Sequence, residues 1–278
     1  MPAFRDHFIP CCGYEVHVRT WGDPQKPALV MSHGLARLAD DFDHVAPHFT
    51  DAYFVLCPSM IGRGLSGWAK NPDREYTLPF YVAQTFEMLE HFRISSCKWI
   101  GTSMGGLIGL AMTAETAGWI EKLVLNDIGP ELDTAAVARI KSYVGATPEF
   151  ETIHDVEEIV KLIYAPFGIT DEATWSFISA RSVRRLPNGN FMMHYDPEVM
   201  RVFAEHIDSF DAWDQFNAIS CPVMLISGAK SDLIPPAIVE KMREQKPEMP
   251  ILTVANCGHA PHLNDEEQIK AIKAFLAD

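Results

Sequence analysis

Gly101-Thr102-Ser103-Met104-Gly105-Gly106 sets one serine among glycines at the junction of two unlike segments. The apolar Lys-Trp-Ile-Gly of residues 98–101 precedes it, and a run rich in Leu, Ile and Ala follows. A strand that turns sharply into a helix projects such a serine hydroxyl from the strand's end, and the glycines permit the tight turn. Ser103 is therefore a candidate nucleophile. A hydroxyl attacks poorly at neutral pH without a base in hydrogen-bond reach. In sites of this kind the partners follow in chain order serine, acid, histidine. Among eleven histidines, that order selects the loop after the last apolar run, Ala255-Asn256-Cys257-Gly258-His259-Ala260-Pro261-His262. His259, after a flexible glycine, is assigned as general base and then general acid. His262, at the entry to the last helix, is read as structural.

Two aspartates compete to orient His259. Asp232 lies in the turn-rich Ser227-Gly228-Ala229-Lys230-Ser231-Asp232 that follows one apolar run, and Asp127 in Asn126-Asp127-Ile128-Gly129-Pro130 that follows the run before it. Asp232 is assigned; Asp127 has an alternative reading as a turn acid. Acyl transfer also needs two backbone donors where negative charge develops. The amide of Met104, at the helix start, and that of Leu35, in Ser32-His33-Gly34-Leu35-Ala36-Arg37, are the candidates, with His33 bracing the turn.

The elements that must carry these residues are legible as a pattern. Residues 4–9 and 14–20 alternate as two strands around a turn at 10–13. Residues 28–32, 53–57, 98–101, 122–126, 223–227 and 251–254 are short apolar runs of the kind buried on both faces of a parallel sheet. Helical stretches at 78–92, 107–117, 237–245 and 265–276 alternate with them. The pattern predicts a doubly wound α/β sheet. It breaks over residues 131–216, which hold 15 acids, 7 Lys or Arg and 12 of the 29 aromatics. That stretch is too long for a loop. It is read as a helical lid, leaving 1–130 and 217–278 as the core.

The chain has 278 residues, 47% apolar and 22% charged, and a formal charge of −14. A chain of this size needs no disulfide to hold a core. Its field opposes a phosphate backbone, so no nucleic-acid partner is expected. No apolar run reaches the length of a membrane span, and Arg5 and Asp6 stand where a secretory leader would begin its apolar stretch. A cytoplasmic protein is expected, with no membrane partner. Its six cysteines are read as reduced and buried, and the absence of C-x-x-C and H-E-x-x-H motifs argues against a zinc site. No metal and no cofactor are expected.

His-Gly at 33–34, G-x-G-x-S at 62–66, the serine motif at 101–106, Ser-Asp at 231–232 and Gly-His at 258–259 together resemble the α/β-hydrolase superfamily. The resemblance implies an eight-stranded, mostly parallel sheet with a lid after the sixth strand. It departs from the family pattern at Ser59, where an Asp is usual. Ser103 is unlike the carboxylate nucleophile of haloalkane dehalogenases and epoxide hydrolases. The turn after Gly34 lacks the Gly-Pro-Gly of C–C hydrolases and the H-G-G-G of many lipases. What remains is similar to lidded bacterial serine esterases and enol-lactonases.

The expectation is a carboxylic-ester hydrolase for a small-molecule substrate, with short to medium neutral acyl groups preferred. Three alternatives stand beside it: an enol-lactonase or acid-anchoring hydrolase, a perhydrolase or haloperoxidase-type activity, and a hydrolase-fold ligand-binding protein. Candidate substrate contacts are Arg37, Arg63, Tyr143, Tyr164, Trp175 and Tyr195. Arg181, Arg184 and Arg185, near the end of a lid helix, are a weaker anchor for a carboxylate.

Overall fold

The computed structural model describes residues 3–142, 148–207 and 210–277. Ten strands order them: β1 Phe4–Cys11, β2 Tyr14–Trp21, β3 Ala28–Ser32, β4 Phe54–Pro58, β5 Cys97–Thr102, β6 Ile120–Asn126, β7 Val183–Arg185, β8 Phe191–Met193, β9 Val223–Gly228 and β10 Ile251–Val254. Eight form one sheet in the order β1-β2-β4-β3-β5-β6-β9-β10. β1 and β2 are antiparallel, β2 meets β4 antiparallel, and every later pairing is parallel. The first hairpin is tighter than expected. β1 continues through Pro10 to Cys11, and only Cys12 and Gly13, both at positive φ, make the turn. Pro10 is tolerated because β1 is an edge strand.

Alternate side chains of each central strand feed opposite cores. Val30, Leu56, Trp99, Leu123 and Leu225 pack on one face, where α2 (Leu78–His91), α3 (Met104–Glu115) and α9 (Pro236–Gln245) lie. Leu29, Met31, Val55, Ile100, Val124 and Ile226 pack on the other with Phe42, Phe49 and α10 (Glu266–Leu276). This two-residue period explains why the strands read as unbroken apolar runs. A short α1 (Pro72–Glu75) precedes α2.

Between β6 and β9 the chain forms α4 (Thr134–Lys141), α5 (Ile153–Tyr164), α6 (Glu172–Arg181), the β7–β8 hairpin, α7 (Glu198–His206) and α8 (Trp213–Ala218). A separate apolar cluster holds Phe150, Val156, Val160, Trp175, Ile178 and Met193 together. Ala136, Val199, Val202 and Phe216 instead join the main core, so this stretch is two-part: its ends lie on the sheet layer and its middle has its own core. α6 ends at Arg181, and Arg184 and Arg185 belong to β7, not to a helix end as expected. The hairpin is fastened to the loop after β4: Gly64 donates its N–H to His194 O at 2.8 Å, and Asp196 N–H donates to Gly62 O at 2.7 Å.

Candidate functional site

Ser103 stands at the abrupt change from β5 to α3 with φ 51° and ψ −118°, a conformation a non-glycine residue adopts only when its surroundings enforce it. The enforcement is visible one turn away. A Cβ at Gly101 would lie 2.3 Å from Gly105 O, so only glycine lets the helix start so close to the strand. Ser103 N–H donates to Asn126 O at 3.1 Å, tying the turn to the end of β6.

His259 Nε2 lies 3.0 Å from Ser103 Oγ, and His259 Nδ1 lies 2.9 Å from Asp127 Oδ2. A carboxylate only accepts, so Nδ1 carries the proton and Nε2 is left to accept from the serine hydroxyl. Asp127 is fully buried, and its carboxylate also accepts from Gly228 N–H at 2.8 Å and Ser231 Oγ–H at 2.6 Å. These donors fix the position of both carboxylate oxygens. His259's loop comes close because residue 228 is glycine; a Cβ there would meet Gly258 O at 2.3 Å. From the other side, Gly258 N–H donates to Pro166 O at 2.6 Å.

Asp232 is not the acid beside His259. Its carboxylate is 44% exposed and pairs with Arg139 Nε at 2.7 Å. The reason lies in the turn after β9, closed by Ser231 N–H to Gly228 O at 2.9 Å. That turn aims Ser231 inward at Asp127 and leaves Asp232 facing out. Asp127, the first residue past β6, needs no such turn, because β6 lies between β5 and β9 in the sheet. His262 sits in the same loop as His259 but accepts from Asn264 N–H at 3.1 Å, and burial pushes its pKa down. Cys257, beside Asp127, has its thiol pushed up to about 12 by burial and then by that carboxylate, so it stays protonated.

Leu35 and Met104 both line the cavity into which Ser103 and His259 open. Met104 is the first residue of α3, so its N–H has no acceptor within the helix. His33 orients the other amide. Its Nε2 accepts from Met60 N–H at 3.0 Å and its Nδ1 lies 2.7 Å from Gly34 O, so Nδ1–H donates. The peptide is planar and trans, so fixing Gly34 O turns the Leu35 N–H the opposite way. Burial, and next the charge of Arg63, push the His33 pKa down to about 3, which keeps the ring neutral in this role.

The cavity measures about 620 Å³ and is mostly apolar, with Leu107, Ile128, Leu132, Ile140, Ile163, Met193, Met200, Phe203 and Phe210 among its walls. Tyr164, Tyr195 and Arg37 reach it. Arg37 is already engaged: it pairs with Asp41 at 2.8 and 2.5 Å, donates to Ser182 Oγ at 2.8 Å and lies over the Tyr164 ring. Arg63 and Trp175 are not cavity residues as expected. Arg63 has no exposed surface and donates to backbone carbonyls, whereas Trp175 packs inside the insertion's own core because α6 turns it toward α5. Tyr143 lies outside the described residues. Arg181 is 3.6 Å from Asp40 and 3.5 Å from Asp43, Arg184 lies over Trp68 and Arg185 over Phe191, so the three arginines do not converge. His206 and Arg139 line the cavity without any signal in the sequence having marked them. No three His, Cys, Asp or Glu side chains converge as a metal site among the described residues.

The sequence matches the α/β hydrolase fold family over residues 27–266, and the chain belongs to that family. It is 34% identical to the 3-hydroxybutyrate-oligomer hydrolase of Cupriavidus necator, over 97% of this chain and 96% of that protein. An α/β hydrolase from Novosphingobium aromaticivorans has the same architecture, with a TM-score of 0.89, 30% identity and 99% of each chain covered. A structure from Rickettsia typhi aligns with a TM-score of 0.90 at 28% identity, covering 99% of this chain and 98% of that one.

Proposed function

We propose that this protein hydrolyses carboxylic esters of small to medium size through an acyl-enzyme on Ser103. The hydrogen-bonded line from Asp127 through His259 to Ser103, opening into an apolar cavity, carries the reading. Ser103 Oγ attacks the ester carbonyl while His259 Nε2 takes its proton. Asp127 holds the Nδ1–H tautomer and stabilises the imidazolium. The tetrahedral oxyanion is met by the amides of Leu35 and Met104. His259 then gives its proton to the departing alkoxide, and water, activated by the same nitrogen, releases the acid. The segment between β6 and β9 acts as a lid, its residues Tyr164, Met193 and Tyr195 closing the cavity against the serine.

Neutral esters suit this cavity better than anionic ones. Arg37 is matched by Asp41 and Arg63 is buried, so neither is free to anchor a second carboxylate. The similarity to the Cupriavidus necator enzyme supports adding short 3-hydroxybutyrate oligomers to the substrates tested. The experiment is a hydrolysis screen of p-nitrophenyl esters by acyl length, with those oligomers and lactones included, on wild type and Ser103→Ala. Sustained turnover that disappears in Ser103→Ala is expected. A single slow burst per protein would indicate a ligand-binding role, and peroxide-dependent halide oxidation with acetate a perhydrolase.

A further inference from the structure

Arg63 is among the largest fully buried side chains in the protein. Its Nε donates to Leu35 O at 2.8 Å, Nη1 to Ile61 O at 2.8 Å and to Tyr81 Oη at 2.6 Å, and Nη2 lies 3.3 Å from Met104 Sδ. One guanidinium therefore holds the Leu35 carbonyl and touches the side-chain sulfur of Met104, the two residues whose amides are assigned to the oxyanion. Leu35 is clamped twice: its own carbonyl by Arg63 and the preceding carbonyl, Gly34 O, by His33 and by Arg37 N–H. The Leu35 N–H lies in the first of these peptide planes, and holding the second limits rotation about Leu35.

All four acceptors are neutral. A buried charge is ordinarily paired with an opposite one, yet no carboxylate lies within ion-pair distance of Arg63 among the described residues. Asp196, the carboxylate of this network, is reached only through Tyr76, whose hydroxyl donates to it at 2.7 Å and whose ring is 5.7 Å from the guanidinium carbon. The charge of Arg63 thus meets dipoles and no carboxylate directly, on the residues whose amides are assigned to the oxyanion.

We propose that Arg63 is a positioning residue for the oxyanion site, holding the Leu35 peptide through its carbonyl, bracing the Met104 side chain and adding a positive charge behind them. The proposal rests on the acyl-enzyme reading above. The field is already felt nearby, since Arg63 is the second cause, after burial, of the depressed His33 pKa.

The test compares wild type, Arg63→Met, Arg63→Lys and Ser103→Ala as full-length chains, using p-nitrophenyl butyrate as substrate. Active sites are counted by fluorophosphonate titration, so that kcat is expressed per reactive Ser103, and affinity for an alkyl trifluoromethyl ketone reports on oxyanion binding. For Arg63→Met, kcat is expected to fall roughly ten- to hundredfold, in line with loss of part of an oxyanion site, with KM changed by no more than about threefold. Ketone affinity should fall in parallel, and Arg63→Lys, which keeps the charge but not the planar fork, should lie between. If Arg63→Met does not fold, Arg63→Lys alone decides, by a parallel loss of kcat and ketone affinity of at least about threefold. Unchanged kcat per titrated site and unchanged ketone affinity overturn the proposal, whatever happens to yield or Tm. An active Ser103→Ala would instead overturn the acyl-enzyme reading itself.

Discussion

At the scale of single residues, the two aspartates make opposite predictions. Asp127→Asn keeps the shape of the carboxyl but loses the charge that holds the Nδ1–H tautomer of His259, and kcat should fall by roughly 10³–10⁴. Asp232→Asn breaks only a half-exposed pair with Arg139 and should leave kcat near wild type, as exposed ion pairs contribute little. Steady-state kinetics on both variants checks the ranking. His33 supplies a prediction in pH. Its folded pKa, about 3, lies below the ordinary histidine value of 6.5, so the unfolded chain binds the proton first. Stability tied to His33 is fully present above pH 6.5 and is lost as pH falls toward 3, at up to one proton per molecule. Urea midpoints from pH 7 to pH 4 should fall with a shallower slope in His33→Asn; equal slopes would remove His33 from the acid response. Ser103 and His259 were legible because each carries a local mark, glycines around the serine and a glycine before the histidine. Asp127 was not, because both aspartates lie past the carboxyl ends of neighbouring strands. Only the direction of the Gly228–Ser231 turn separates them, and that direction is a property of packing.

At the scale of elements, the site depends on loops brought into contact by missing side chains. Gly228→Ala would place a Cβ 2.3 Å from Gly258 O and 2.6 Å from Cys257 O, both rigid backbone atoms. The His259 loop must move away, so the variant should lose about 1–3 kcal/mol of stability, and kcat should fall roughly a hundredfold from the misplaced base. Denaturant unfolding and kinetics on the same preparation check it; wild-type kcat would mean that the loop is not held by this contact. The strands of the sheet were legible because burial on both faces leaves near-continuous apolar runs. The β7–β8 hairpin was not, since three-residue strands carry too few alternations to register. The two-part character of the segment between β6 and β9 was also hidden. Apolar periodicity shows that a helix has a buried face, but not which core that face joins.

At the scale of the whole molecule, charge distinguishes substrates. The chain carries −14, and residues 131–216, with 15 acids against 7 Lys or Arg, hold more than half of it. Neutral esters should therefore exceed matched hemi-esters of dicarboxylic acids in kcat/KM at low salt, and the gap should narrow as salt screens the field. A tenfold preference for hemi-esters, abolished in Arg37→Ala, would contradict this. The most direct measurement concerns the covalent intermediate. The protein is incubated with a slowly deacylating p-nitrophenyl carbamate, and loss of activity is followed alongside the intact mass and the modified peptide. One adduct per chain, located on Ser103 and rising in step with inactivation, is the predicted result. Full inactivation with Ser103 unmodified, or an adduct on another residue that tracks the loss of activity, would contradict the account.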